Sequence, residues 1–169
     1  MPVAILEKSK IDLLHEESIP PIIIYRMKVK EPVTDEEFAA YYRLRYETLR
    51  QPWGQPEGSE LAEDDTTATH AMLVNDTNEV VGICRMHLHT PQEAQLRFMG
   101  IRQDFQGKGL GDMLVTYLEE KARQMGATTM VLQAREKAVS FYRRHGYTVT
   151  AKTHLLFGSI QHYKMEKQL

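Results

Sequence analysis

The six residues Gln106-Gly107-Lys108-Gly109-Leu110-Gly111 concentrate more chemistry than any other stretch of this chain. Glycine inside a helix costs about 1 kcal/mol relative to alanine, so Gly109 and Gly111 at the head of a helical stripe imply close approach to the backbone. Free N–H groups at a helix N-terminus, aided by the helix dipole, bind phosphate oxygens. A phosphate-bearing ligand is the natural occupant; an ordinary glycine-rich turn is the alternative. Spacing narrows the ligand. A P-loop requires glycine where Arg102 stands and Ser or Thr after Lys108, where Gly109 stands. A dinucleotide fingerprint counted from Gly107 requires glycine at Asp112. Nucleotide triphosphate hydrolysis and dinucleotide-dependent redox chemistry are both disfavoured.

Three further groups invite a chemical reading. Glu57, Glu60, Glu63, Asp64 and Asp65 crowd one loop, which either attracts a cationic amine or is a solvated acidic surface. His87-x-His89 would put two rings on one face of a strand, but no third ligand is apparent and no metal is expected. Cys84 lies in an apolar run, which argues for packing over reactivity.

These residues need elements to hold them. Pro20-Pro21 ends any preceding helix, and residues 22–29 read as a first strand. Thr34 and Glu37 have the form of a capping box for a helix over 35–50. Residues 51–69 turn to Pro, Gly and acid, a loop long enough to suggest function. Residues 70–74 and 80–89 flank the polar turn Asn75-Asp76-Thr77-Asn78 as a hairpin, and 94–101 form another strand. Leu110, Met113, Leu114, Tyr117, Leu118 and Ala122 make the clearest helical stripe, closed by Gly126. A strand at 130–132, a short helix over 136–145 closed by Gly146, and strands at 147–157 and 159–166 complete an α+β (mixed α/β) domain.

Composition sets the frame. The 169 residues are 42% apolar and 26% charged, with formal net charge −2, as expected for one globular domain over 21–169 after an extension of 1–20. Net charge gives no reason to expect nucleic acid or membrane as partner. A single cysteine and an N-terminus that becomes charged early point to the cytoplasm.

Gln106-x-x-Gly109-x-Gly111, with Ala138-Val139-Ser140-Phe141-Tyr142-Arg143-Arg144-His145-Gly146-Tyr147 following about 30 residues later, resembles the paired signatures of the GNAT superfamily of acyl-CoA N-acyltransferases. The resemblance covers residues 22–167, closest over 94–147. Arg43-x-Arg45, Gln133-Ala134-Arg135 and His162-x-x-Met165 resemble the ElaA-type branch. It implies a mostly antiparallel sheet of six to seven strands with a splayed pair, flanked by about four helices. It implies acetyl-CoA as co-substrate, its pyrophosphate on the amides of Gln106, Gly107, Lys108, Gly109, Leu110 and Gly111. Met99, Gly100 and Ile101 would bond the pantetheine arm and polarise the thioester. Arg102, Lys108, Arg143 and Arg144 could add charge against the phosphates. Tyr142 would protonate the departing thiolate, the alternative being one more core aromatic. Strand 94–101 offers no carboxylate as base, so Glu60, Asp65, His70 and His162 stand as acid–base or acceptor-binding candidates.

The implied activity is acetyl transfer to a primary amine of a small molecule or protein. Homodimers are common in such families, and the sequence leaves this open. Two other readings are a non-catalytic acyl-CoA-binding regulator and, from Arg43-x-Arg45, Trp53, Glu60 and Asp64-Asp65, an acyl-homoserine lactone synthase-like enzyme.

Overall fold

A computed structural model describes residues 26–169. Ten elements follow in chain order: β1 (Lys28–Lys30), α1 (Asp35–Leu49), β2 (Thr69–Val74), β3 (Val80–Leu88), β4 (Glu93–Ile101), α2 (Leu110–Gln124), β5 (Thr129–Arg135), α3 (Val139–Arg144), β6 (Thr148–Leu156) and β7 (Ile160–Gln168). The strands form one sheet in the order β1-β2-β3-β4-β5-β7-β6. Every neighbouring pair is antiparallel except β4 and β5.

Alternation along β2 shows how the layers are built. Ala71 and Leu73 pack with Leu114, Val115 and Leu118 of α2, while Met72 and Val74 pack with Tyr41 and Leu44 of α1. Successive strand residues point to opposite faces, so α1 covers one face of the sheet and α2 with α3 the other. Thr34 caps α1 by accepting from the Glu37 amide at 3.2 Å, and the Glu37 carboxylate accepts in return from Val33 N–H at 2.8 Å, one residue before the cap. Gly126 follows α2 with φ +92° and Gly146 follows α3 with φ +86°, conformations that favour glycine at helix ends.

Three expectations change. The described residues hold three α-helices where about four were expected: 51–53, 65–67, 103–105 and 136–138 make only single 3-10 turns. The helix expected over 136–145 is therefore a 3-10 turn followed by α3. The first strand is three residues long, and residues 22–25 of the expected strand lie outside the described residues. No helix among the described residues is long and apolar enough to cross a membrane.

Candidate active site

The glycine loop ends where α2 begins, with Gly109 as its N-cap at φ +73°. Gly107 shares that left-handed conformation. The amides of Gly107, Lys108, Gly109, Leu110 and Gly111 find no acceptor among the described residues. Unpaired donors at the positive end of a fifteen-residue helix make a cradle for an anion. Gly111 has a second reason to be glycine: a Cβ there would lie 3.1 Å from Phe141 Cζ. Its close neighbour is α3 rather than a ligand alone. The Asp112 carboxylate accepts from His145 Nε2 at 2.9 Å, so the two sequence signatures meet in space. Arg102 is held by Asp104 and Glu79, and Arg143 and Arg144 are exposed on α3.

Beside this cradle the sheet opens. β4 pairs with β5 only from Glu93 to Leu96, against Thr129 to Leu132. Beyond that, Gln133, Ala134 and Arg135 pair with β7, and the β5-facing edge of β4 has no strand partner among the described residues. Met99, Gly100 and Ile101 lie on this free stretch. Ile83 pairs with Gly100 and Arg85 with Arg97, so Cys84 faces both Phe98 and Met99 across a β-bulge. Phe98 sits at φ +56°, a backbone state costing a bulky residue about 1–3 kcal/mol and found mostly at functional sites. Gly100 is glycine because α1 presses on it: a Cβ would lie 2.5 Å from Thr48 Oγ1.

Tyr142 is wedged between Phe141 and Tyr147, ring centroids 5.0 and 5.7 Å away, and is 5% exposed. Tyr147 is in turn anchored by donating to the buried Glu119 carboxylate at 2.9 Å, which also takes Lys167 at 2.7 Å. The Tyr142 hydroxyl has no hydrogen-bond partner among the described residues. Burial pushes this phenol well above its ordinary pKa, with the Arg135 charge pulling the other way. It is therefore fully protonated at neutral pH.

The four acceptor-side candidates divide. Asp65 pairs with Arg45 and Arg85, both at 3.0 Å. Glu60 is buried and accepts from the Gly58 amide at 2.7 Å. His70 donates from Nε2 to the Asp65 carbonyl at 2.7 Å, while Nδ1 faces the Tyr41 hydroxyl at 3.1 Å. A carbonyl only accepts, which fixes the proton on Nε2. Asp65 and His70 hold the 51–68 loop to α1, β2 and β3, while Glu60 bonds within the loop. His162 is placed differently: it pairs with Arg135 across β7 and β5, stacks on His154 at 4.5 Å, and donates from Nδ1 to the Ile160 carbonyl at 2.9 Å. The lone pair is left on Nε2. Burial, helped by the His154 and Arg135 charges, lowers its pKa, so the ring is neutral at pH 7.

Sequence reasoning missed a cluster of arginines. Arg45 and Arg85 have no exposed surface, and Arg45, Arg50, Arg85 and Arg97 all lie within 6 Å of the Phe98 ring centroid, Arg45 at 3.4 Å. One signal was visible: Arg85 interrupts an apolar strand at a position where a charge is almost never fully buried without a partner. Cys84 is buried, its thiol pushed up by desolvation. His87 lies 3.6 Å from Asp64, and among the described residues no group of three metal-ligating side chains occurs.

Comparison with known proteins fits this geometry. The uncharacterized N-acetyltransferase YjcF of Bacillus subtilis is 26% identical over 141 residues, covering 83% of this chain and 99% of the relative. A proposed N-acetyltransferase from Lactobacillus plantarum superposes with TM-score 0.76 at 26% identity, covering 85% of this chain and 98% of its own. A GNAT family acetyltransferase from Elizabethkingia anophelis with acetyl-CoA bound shares the fold at TM-score 0.70 and 12% identity, over 85% and 98% of the two chains. The sequence profile of the Acetyltransferase (GNAT) family matches residues 38–147, and with the glycine cradle beside a split sheet this chain belongs to that family of acyltransferases.

Proposed function

We propose that this protein moves an acetyl group from acetyl-CoA to an amine, with residues 21–169 acting as one catalytic domain. The observation that carries the reading is the run of unpaired amides from Gly107 to Gly111 beside the unpartnered edge of β4. The amides of Gly107 to Gly111 hold the pyrophosphate, the Gln106 amide being taken by the Gln103 carbonyl at 3.3 Å, and Met99, Gly100 and Ile101 line the pantetheine arm. Gln106 helps shape the loop by donating from Nε2 to the Ile101 carbonyl at 2.9 Å. Lys108 supplies charge beside the phosphates. When bound, acetyl-CoA supplies the acetyl thioester.

A backbone N–H on the bulged part of β4 polarises the thioester carbonyl. The acceptor nitrogen bonds to the carbonyl carbon, the carbon–sulfur bond breaks, and Tyr142 passes its hydroxyl proton to the departing sulfur. Burial raises the phenol, which by itself makes it a weaker acid. The same burial raises thiols, as at Cys84, so the departing thiolate is also a stronger base. His162 Nε2 takes the proton released by the acceptor nitrogen. His162 and Arg135 are direct neighbours across the β5–β7 pairing, and the Arg135 charge acts on both His162 and Tyr142.

Release of free thiol from acetyl-CoA, measured across a panel of amines, tests the proposal. Acceptor-dependent release lowered at least tenfold in Tyr142→Phe is the expected result. Tight acetyl-CoA binding without release for any amine would favour a regulatory module.

A further inference from the structure

We propose that the acceptor amine also carries an oxyanion, and that Arg50 and Arg135, backed by Arg97, hold that oxyanion against the Phe98 bulge. This rests on the acetyltransferase reading and names the substrate class of the same site. The first argument is charge. Around Phe98 stand Arg45, Arg50, Arg85 and Arg97, with Arg135 alongside. The carboxylates that touch them are Asp64 and Asp65, and both are taken by the two innermost arginines: Asp65 by Arg45 and Arg85, Asp64 by Arg85 at 2.7 Å. Arg97 reaches Asp64 only at 4.0 Å. Arg50 donates to the carbonyls of Ser59 and Leu49 and has no carboxylate within ion-pair distance among the described residues. Arg135 has none either; its guanidinium lies 4.7 Å over the Trp53 ring.

The second argument is unsatisfied hydrogen bonding. Nε and Nη2 of Arg45, with Nε and Nη1 of Arg85, are buried without an aligned acceptor. Arg85 Nη1 does lie 3.0 Å from Asp65 as an ion pair, but buried guanidinium donors normally find aligned partners, so the two arginines remain short of acceptor oxygens. Burial and mutual repulsion push the guanidiniums of Arg50 and Arg97 down, and burial does the same to Arg135, which is the cost an incoming anion would relieve.

The third argument is shape. Phe98 and Phe157, which flank Arg50, both hold left-handed backbone, φ +56° and +51°. With Trp53 they give the arginines flat aromatic walls, leaving the guanidinium forks to grip a carboxylate or phosphate from two sides. Arg135 lies opposite His162 on the neighbouring strand, so an oxyanion held there sets the amine near the proposed acid and base. The crowded acidic loop offsets this only in part: Asp64 and Asp65 are taken by Arg45 and Arg85, and the Glu60 carboxylate, which accepts from the Gly58 amide, acts on Arg50 more weakly than the repulsion from Arg45, Arg135 and Arg97.

The test compares matched acceptors in the thiol-release assay: amino acids, their amides, their decarboxylated amines, aminoalkyl phosphates and polyamines. Acids are expected to exceed their amides at least 100-fold in kcat/KM. Arg135→Gln and Arg50→Gln should raise KM for the acid at least tenfold while the thermal shift caused by acetyl-CoA stays as in wild type. Preference for the aminoalkyl phosphates would assign the oxyanion as phosphate; preference for amino acids would assign carboxylate. A readout without turnover is thermal unfolding with N-acetyl amino acids and phosphate esters against their uncharged counterparts. Stabilisation by the anions, lost in Arg135→Gln, supports the site even if acetyl-CoA does not bind, an outcome that would sink the acetyltransferase reading alone. Equal response to acids and amides in both assays, or preference for polyamines, overturns the proposal.

Discussion

The two halves of this site are built from opposite materials. At the head of α2 the donors are backbone amides, exposed, contiguous in sequence, and shaped by glycines at φ +73°. Around Phe98 the donors are side chains from α1, β3, β4 and the end of β5, with Arg45 and Arg85 buried in the sheet, Arg135 half-buried and Arg97 exposed. An amide cradle is intrinsically unselective beyond its preference for an anion, and suits a cofactor part that never changes. Guanidinium groups held by distant segments can be rearranged one substitution at a time, and suit a part of the site that defines a particular acceptor.

The largest expected effect lies on the side-chain half. Asp65→Ala leaves Arg45 and Arg85 buried with their shared counter-charge removed, a change worth about 3–5 kcal/mol and on the order of 10 °C in the unfolding midpoint. An unchanged midpoint would show that the cluster is balanced by other groups. On the backbone half, Gly109→Glu forces a side chain into left-handed backbone and puts a carboxylate at the cradle. Calorimetry should find acetyl-CoA bound about 100-fold more weakly, roughly 2.7 kcal/mol. Retained affinity would dissolve the contrast between the two halves. Between them, Tyr142→Phe should lower kcat at least tenfold with acetyl-CoA affinity within about twofold of wild type, which single-turnover and binding measurements separate. Unchanged turnover would remove Tyr142 from the chemistry.

The smallest effect concerns pH. His162 is depressed in the folded state by burial, so the unfolded chain binds its proton first as pH falls. Its contribution to stability is full above the ordinary histidine pKa of about 6.5, falls as pH drops below that value, and levels off below the depressed folded pKa. The acid limb of kcat/KM should follow the same group, rising with pH through a value under 6.5. His162→Gln should flatten that limb; an identical limb in the variant would assign it elsewhere.

Much of this could be read in advance because it is local. The stripe from Leu110 to Ala122 and the helix-ending glycines 126 and 146 depend on neighbours a few residues away. The expected helices and strands accordingly fall within a few residues of those observed. The exceptions are also local. Glu136, Lys137 and Ala138 make a 3-10 turn that leads directly into α3. Among the acceptor-side candidates, Glu60, Asp65 and His70 share one stretch of chain. Whether a carboxylate is free or spent cannot be seen without its partners, and Arg45 and Arg85 lie 20 residues away from Asp65 on either side.

The sequence alone determined the glycine loop with its unpaired amides at the head of α2, because a glycine's φ and a helix's unpaired amides follow from a handful of adjacent residues. It determined the sheet-and-helix order for the same reason, through periodicity. Only the tertiary structure decided that Phe141 rests on Gly111, that β4 parts from β5 after Leu96, and that five arginines gather where two carboxylates touch them. Those facts arise from strand pairing and packing between segments up to 90 residues apart, and charge balance in a buried cluster is a property of the assembled set.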